Sequence, residues 1–191
     1  MALFFQQKST IEDFEVFANL PQNSEKILEL VSGEIIEVPS NPYVSEIANL
    51  ISFFIRLFLR QNNLKGHVTG ADGGYIINGD VYAPDVAYIS YDRQPELARQ
   101  GYNPNPPELA VEVISDPNNS QEQTTLRRKV GNYLTAGIVV WVVNPEDRTV
   151  DVYEMGKAVQ IMDEHGILTC DDMLPNFKLA IKDIFPTSEG D

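Results

Sequence analysis

Cysteine is almost absent from this chain: Cys170 is the only one in 191 residues. A single thiol, read as a core or surface group, can build neither a disulfide framework nor a thiolate metal site. Histidine is scarce too. His67 and His165 are isolated beside glycines and read as loop residues, so neither Ser115 nor Ser120 has a base for a serine triad. Basic residues are outnumbered, 14 against 28 acidic, for a net charge of −14. That argues against the broad basic footprint of a non-specific nucleic-acid binder. No apolar run reaches membrane-spanning length, because Ile47 to Leu59 is interrupted by Asn49, Ser52 and Arg56. Lys8 is the only early cation and no cleavage site is evident, which argues against a signal peptide. These absences point to a cytoplasmic protein. With 43% apolar and 22% charged residues, the composition is that of one globular domain with a proper core.

The pattern along the chain predicts a mixed order of helices and strands. Ser9-Thr10-Ile11-Glu12-Asp13 has the form of a capping box opening a helix to about Asn19. Ile27 to Val31 and Glu34 to Val38 flank Ser32-Gly33 as a hairpin, with Pro39 and Pro42 punctuating its exit. Apolar residues from Ile47 to Leu59 recur at helical spacing within a long helix, Val44 to Asn63. Residues 73–77 and 81–82 flank Asn78-Gly79-Asp80 as a second hairpin, and Asp85 to Ser90 is a strand opened by a proline. Gln94 to Asn105 reads as a polar loop with one short helical turn. Glu108 to Ser115 is apolar enough for a strand buried on both faces. Asn118-Asn119-Ser120 can cap a helix ending at Gly137, and Ile138 to Val143 returns as a strand. Shorter strands follow at 149–154 and 158–162, and 174–185 reads as a partly ordered strap. The fold class is therefore α/β (α+β): a central mixed sheet flanked by helices, with an N-terminal hairpin and a long helix. The core lies within about residues 28–153, with a C-terminal hairpin and strap over 154–191.

Three polar residues stand out against this background. Asp85 follows Pro84, Glu112 interrupts Leu109-Ala110-Val111-Glu112-Val113-Ile114, and Lys129 lies on the following helix. A carboxylate within an apolar strand is costly unless a cation, metal or proton partners it. Leu126, Val130 and Tyr133 define the sheet-facing side of the helix, and Lys129 falls on its buried edge, whereas Arg128 points away. Lys129 can therefore reach the strand of Glu112. On that strand Glu112 shares a face with Ala110 and Ile114, and small Ala110 leaves room beside the carboxylate.

Two carboxylates and a lysine are the minimum kit for metal-assisted phosphodiester hydrolysis. Mg2+ or Mn2+ takes oxygen ligands. Asp85 and Glu112 can supply two, the backbone carbonyl of Val113 a third, and Lys129 can orient or activate the water. Glu34, after a tight glycine turn, is a further candidate. Arg127 and Arg128 offer local positive charge for a nucleic acid, although such a pair is more often a solvated helix face. Phe53, Phe54 and Phe58 read as core or dimer surface.

The arrangement Pro84-Asp85, Glu112 and Lys129 resembles the PD-(D/E)xK nuclease superfamily. More closely, the chain resembles the Uma-two family of restriction endonucleases. The matching stretches are Leu30-Val31-Ser32-Gly33-Glu34-Ile35-Ile36-Glu37, Ala83-Pro84-Asp85-Val86-Ala87, Glu108 to Ser115, Lys129 with Tyr133 and Ala136-Gly137, and Val140-Trp141-Val142-Val143-Asn144-Pro145. The resemblance implies a restriction-endonuclease-like core, divalent-metal cleavage of DNA and a homodimer. It maps the acidic and lysine positions onto Glu34, Asp85, Glu112 and Lys129. Three positions depart from the pattern. Ile114 stands where the superfamily has lysine, the stretch Asn41 to Ser45 lacks a histidine, and Asn144 replaces an aspartate. Two readings stand beside catalysis. One is an inactive nuclease fold serving as a binding or regulatory subunit, its acidic surface meeting protein partners. The other is a homodimeric structural protein whose Asp85–Glu112–Lys129 group is a buried ion network.

Overall fold

The computed structural model describes residues 8–38 and 40–186. Pro39 and the first seven residues, on which the turn exit and leader readings partly rest, lie outside the described residues, as do residues 187–191.

The chain opens with α1 (Ile11–Ala18), started by the expected capping box: Thr10 accepts from the Asp13 amide and Asp13 accepts from the Thr10 amide. The hairpin of β1 (Leu28–Val31) and β2 (Glu34–Glu37) turns through Ser32 and Gly33, both at positive φ. Two consecutive left-handed residues are what a two-residue turn between twisted strands requires. Asn41 caps α2 (Pro42–Gln61), and Pro42 sits at the first helical position, where its missing N–H costs nothing. The helix therefore begins two residues earlier than its apolar periodicity indicates.

After α2 come β3 (Gly66–Gly70), β4 (Tyr75–Ile77), β5 (Asp80–Tyr82), β6 (Val86–Ser90) and β7 (Leu109–Val113). Then follow α3 (Ser120–Thr135), β8 (Val139–Asn144), β9 (Thr149–Tyr153), β10 (Gln160–Met162), β11 (Ile167–Cys170) and β12 (Leu174–Ala180). Six strands form the central sheet in the order β10-β9-β8-β7-β6-β3. Only β7 and β8, joined through α3, run parallel in it. The rest pair antiparallel, β8–β9 and β9–β10 through short turns and β3–β6 and β6–β7 through longer excursions. A second sheet, β2-β1-β5-β4, is wholly antiparallel, and β11 pairs with β12 alone.

Alternation along β7 divides the interior. Leu109, Val111 and Val113 join Trp141, the buried stripe of α2 and the C-terminal segment in one apolar cluster. Ala110 and Ile114 join Val130, Tyr133 and the second sheet in another. Glu112 projects to this second side, beneath α3.

Four expectations need correction. By length and mean hydropathy (1.3), α2 is long and apolar enough to cross a membrane. Its Val44, Ile47, Ile51, Ile55 and Leu59 instead form one stripe buried against the core. The stretch 174–185 is no loose strap. It forms β12 and a 3-10 turn, and Leu174, Phe177, Leu179, Ile181, Ile184 and Phe185 are buried in the largest apolar cluster. His67 lies within β3, its Nε2 3.1 Å from the carbonyl oxygens of Gln94 and Pro95. Residues 94–105 contain bends and a single bridge from Asn103 to Tyr75 rather than a helical turn. The side chains of buried Gln94 and Asn103 bond to one another there and replace the helix as the organising element.

Candidate active site

Lys129 is the hub of the charged side. Its Nζ lies 2.7 Å from Glu112 Oε2 and 2.8 Å from Glu29 Oε1. Helical phasing sets it there: one turn of α3 carries Lys129, Val130 and Tyr133 inward. Asn119 starts that helix by accepting from the Gln121 and Glu122 amides, and Gly137 at φ 76° follows its end. Glu112 stands at the centre of the sheet, with its second oxygen taken by the Tyr133 hydroxyl at 2.7 Å. Glu29 comes from β1, where it alternates with buried Leu30, and it also accepts from the Ala83 amide at 2.8 Å.

Asp85 follows Pro84 at the head of β6. Its Oδ2 accepts from the Val113 amide at 2.7 Å. Alternate residues of β7 address opposite neighbours: Glu108 C=O and Ile114 N–H bond to β8, so Val113 addresses the β6 side. The Val113 carbonyl therefore leaves the strand on the edge where Asp85 sits.

These groups line a half-open cavity of about 420 Å³ whose rim includes Ser115, Glu122, Thr125 and Leu126. Glu29, Glu112 and Lys129 are 1%, 7% and 4% exposed. Two buried carboxylates thus share one ammonium, with half-buried Asp85 close enough to feel its charge, in a place where water screens little. Burial raises the Glu112 carboxyl above its ordinary range, Lys129 opposes the shift, and Glu29 and Asp85 add to it. Burial likewise raises Asp85 to about 6, against the Val113 hydrogen bond and the Lys129 charge. Burial alone would lower the Lys129 pKa, but the charges of Glu112 and Glu29 outweigh it and raise it. Lys129 is accordingly an ammonium, a donor and a fixed positive charge, not a base.

Among the described residues no three His, Cys, Asp or Glu side chains are arranged to hold an ion. A histidine- or thiolate-type site is thus not built here. The donor set fits magnesium, which needs only one or two carboxylates with carbonyl, water and substrate oxygens. Asp85, Glu112 and the Val113 carbonyl offer that set, provided that Glu112 turns one oxygen away from a present partner.

The remaining sequence candidates lie elsewhere. Glu34 does not line this cavity; its carboxylate is 62% exposed and bonds to Arg128 Nη1 at 3.0 Å. It stands beside the Ser32-Gly33 turn at the exposed end of the hairpin, so its assignment to the same centre is not kept. Arg127 and Arg128 are both exposed on the outer side of α3. Asn144 bonds to Asp147 and closes the β8–β9 turn, and Ser115 donates to Glu122. Sequence reasoning missed Glu29 and Tyr133. The signal for Glu29 was present: a glutamate flanked by leucines in a hairpin strand is the same anomaly as Glu112. Tyr133 was recognised only as part of the packing face.

A mixed sheet whose parallel central pair brackets a helix, with acids at one end and a lysine above, defines a restriction-endonuclease-like fold. A crystal structure described as a "putative nuclease belonging to DUF820" from Anabaena variabilis superposes with a TM-score of 0.74. It is 21% identical, and the alignment covers 92% of this chain and 97% of that one. No curated protein matches the chain. Residues 12–182 match the Uma2 family, described as "Putative restriction endonuclease". The chain belongs to that family.

Proposed function

We propose that the chain is a divalent-metal-dependent endonuclease acting on DNA in the cytoplasm. The observation that carries this reading is the excess of carboxyl groups over cations lining the cavity: buried Glu112 and Glu29 and half-buried Asp85 against Lys129. A cation entering from solvent relieves that excess. In this reading Asp85, Glu112 and the Val113 carbonyl hold magnesium or manganese. The ion supplies Lewis-acid polarisation of the phosphoryl oxygen and a more acidic water. Lys129 donates to the attacking water and faces the charge that develops on the phosphoryl group. Tyr133 fixes the Glu112 carboxylate, and Glu29 fixes Lys129. Water would form the new P–O bond and release one proton to solvent, the bond to the leaving oxygen would break, and that oxygen would take a proton from solvent.

A second reading rests on a specific observation of its own. Both Glu112 oxygens and the Lys129 ammonium already have protein partners, which suits a structural ion network in an inactive nuclease fold. Calorimetric titration with magnesium or manganese separates the two. Asp85→Asn keeps an acceptor for the Val113 amide and removes the charge. Catalysis expects wild-type binding that Asp85→Asn and Glu112→Gln abolish, together with nicking of supercoiled DNA that both variants lose. No binding to wild type, or equal binding to the variants, selects the structural network.

A further inference from the structure

A second concavity of about 790 Å³ lies beside the cavity. The two share Ile36, Gln121 and Thr125 in their walls, so they lie side by side between the hairpin and α3. The walls of the second differ in chemistry. On one side Phe17, 40% exposed, stands with half-buried Ile35 and Ile36. On the other, α3 presents Ser120, Gln121, Thr124 and Arg128. Lys8 is the other cation along it.

We infer that this groove carries a single nucleic-acid strand to the cavity, with a base stacked on Phe17 and its phosphates along the polar face of α3; this rests on the nuclease reading above. An aromatic wall facing a hydroxyl- and arginine-bearing wall is the arrangement that takes unpaired bases and backbone together. A duplex suits it poorly for two reasons. Glu29, Glu112 and Lys129 are recessed in a cavity of about 420 Å³, within the size range of small-molecule pockets. A phosphate on a stiff double helix cannot descend there without leaving its partner strand. The chain also carries a net charge of −14, and a duplex presents roughly one negative charge every 1.7 Å. Two cations along the groove cannot offset that repulsion. Arg128 is moreover held by Glu34 at 3.0 Å, which turns Glu34 from a metal candidate into a brake on strand binding.

Fluorescence anisotropy tests the inference, using labelled oligothymidine and the corresponding dA·dT duplex, with calcium replacing magnesium to hold the complex. The single strand binds at least roughly 10-fold more tightly than the duplex, and Phe17→Ala weakens single-strand binding by roughly 5- to 100-fold. Phe17→Tyr restores it, since the ring remains. Glu34→Gln strengthens it by releasing Arg128. Equal affinity for duplex and single strand, or unchanged affinity in Phe17→Ala, overturns the inference. Phe17 is exposed, so its replacement does not threaten folding. The two readings fail separately. If Asp85→Asn leaves magnesium binding intact, the metal centre falls while a Phe17-dependent single-strand affinity survives as simple binding. If Asp85→Asn abolishes magnesium binding but Phe17→Ala changes nothing, only the groove falls.

Discussion

The two faces of β7 carry opposite solutions to burial. On one, Leu109, Val111 and Val113 meet Trp141, α2 and the C-terminal segment in a wholly apolar cluster, where Phe177 stacks on Trp141 at 6.4 Å between centroids. On the other, one strand position away, Glu112 meets Lys129, Tyr133 and Glu29. The apolar face gains from every atom removed from water. The charged face gains little from burial, because the desolvation of each ion offsets much of the attraction between them. The cavity opens on this side.

The largest expected effects come from removing the hub of each face. Lys129→Ala leaves buried Glu29 and Glu112 without their cation and should cost about 3–5 kcal/mol. Phe177→Ala opens a cavity in the apolar cluster and should cost a similar ~3–5 kcal/mol. Urea unfolding distinguishes them: the Lys129 variant recovers stability on acidification as the carboxylates protonate, and the Phe177 variant does not. Parallel pH profiles would erase the contrast.

Glu112→Gln should change the stability of the metal-free protein by less than about 1 kcal/mol. Lys129 keeps Glu29, and Tyr133 keeps an acceptor. The variant should lose all stabilisation by magnesium, read as the shift in melting temperature on adding the ion. A large loss of metal-free stability would show that the network is structural first.

The pH dependence follows from the raised carboxyl groups. A group whose folded pKa lies above its unfolded value stabilises the protein below the unfolded pKa and loses that contribution as pH rises through the folded one. For Asp85 the window runs from 3.8 to about 6, and the raised Glu112 extends the trend upward. These groups therefore lower the stability of metal-free protein as pH increases across that window. Magnesium requires the ionised forms, so its stabilising effect grows over the same range. Unfolding midpoints with chelator and with magnesium should diverge as pH rises; coincident curves would remove the cation from the account.

The smallest effect belongs to the surface. Arg128→Ala breaks a half-exposed pair with Glu34 and should cost at most ~1 kcal/mol, diminished by salt. A larger loss would mean that the outer side of α3 is less independent of the charged interior than its exposure indicates.

Much of this was legible in the linear chain because it depends on local periodicity. The capping box at Thr10 and the turns at Ser32-Gly33 and Asn78-Gly79 follow from neighbouring residues. The inward phase of Lys129 does too. Glu112 announced itself because a charge within an apolar strand demands a partner. What partnered it was not legible. Glu29 lies 100 positions from Lys129 along the chain, and only the packing of the β1–β2 hairpin against α3 brings them to 2.8 Å. Glu34, the candidate read from the sequence, shares that hairpin face with Glu29 but stands at the exposed turn end, where it pairs with Arg128.

By itself, then, the sequence determined which residues were out of place in their surroundings, since helix and strand periods convert spacing into a face. The tertiary structure alone decided which of those faces meet. It set the pairing of Lys129 with both Glu29 and Glu112, the raised pKa of Asp85, and the adjacency of groove and cavity. Long-range packing chooses the neighbours of each charge, and in a buried site the neighbours and the missing water determine what that charge can do.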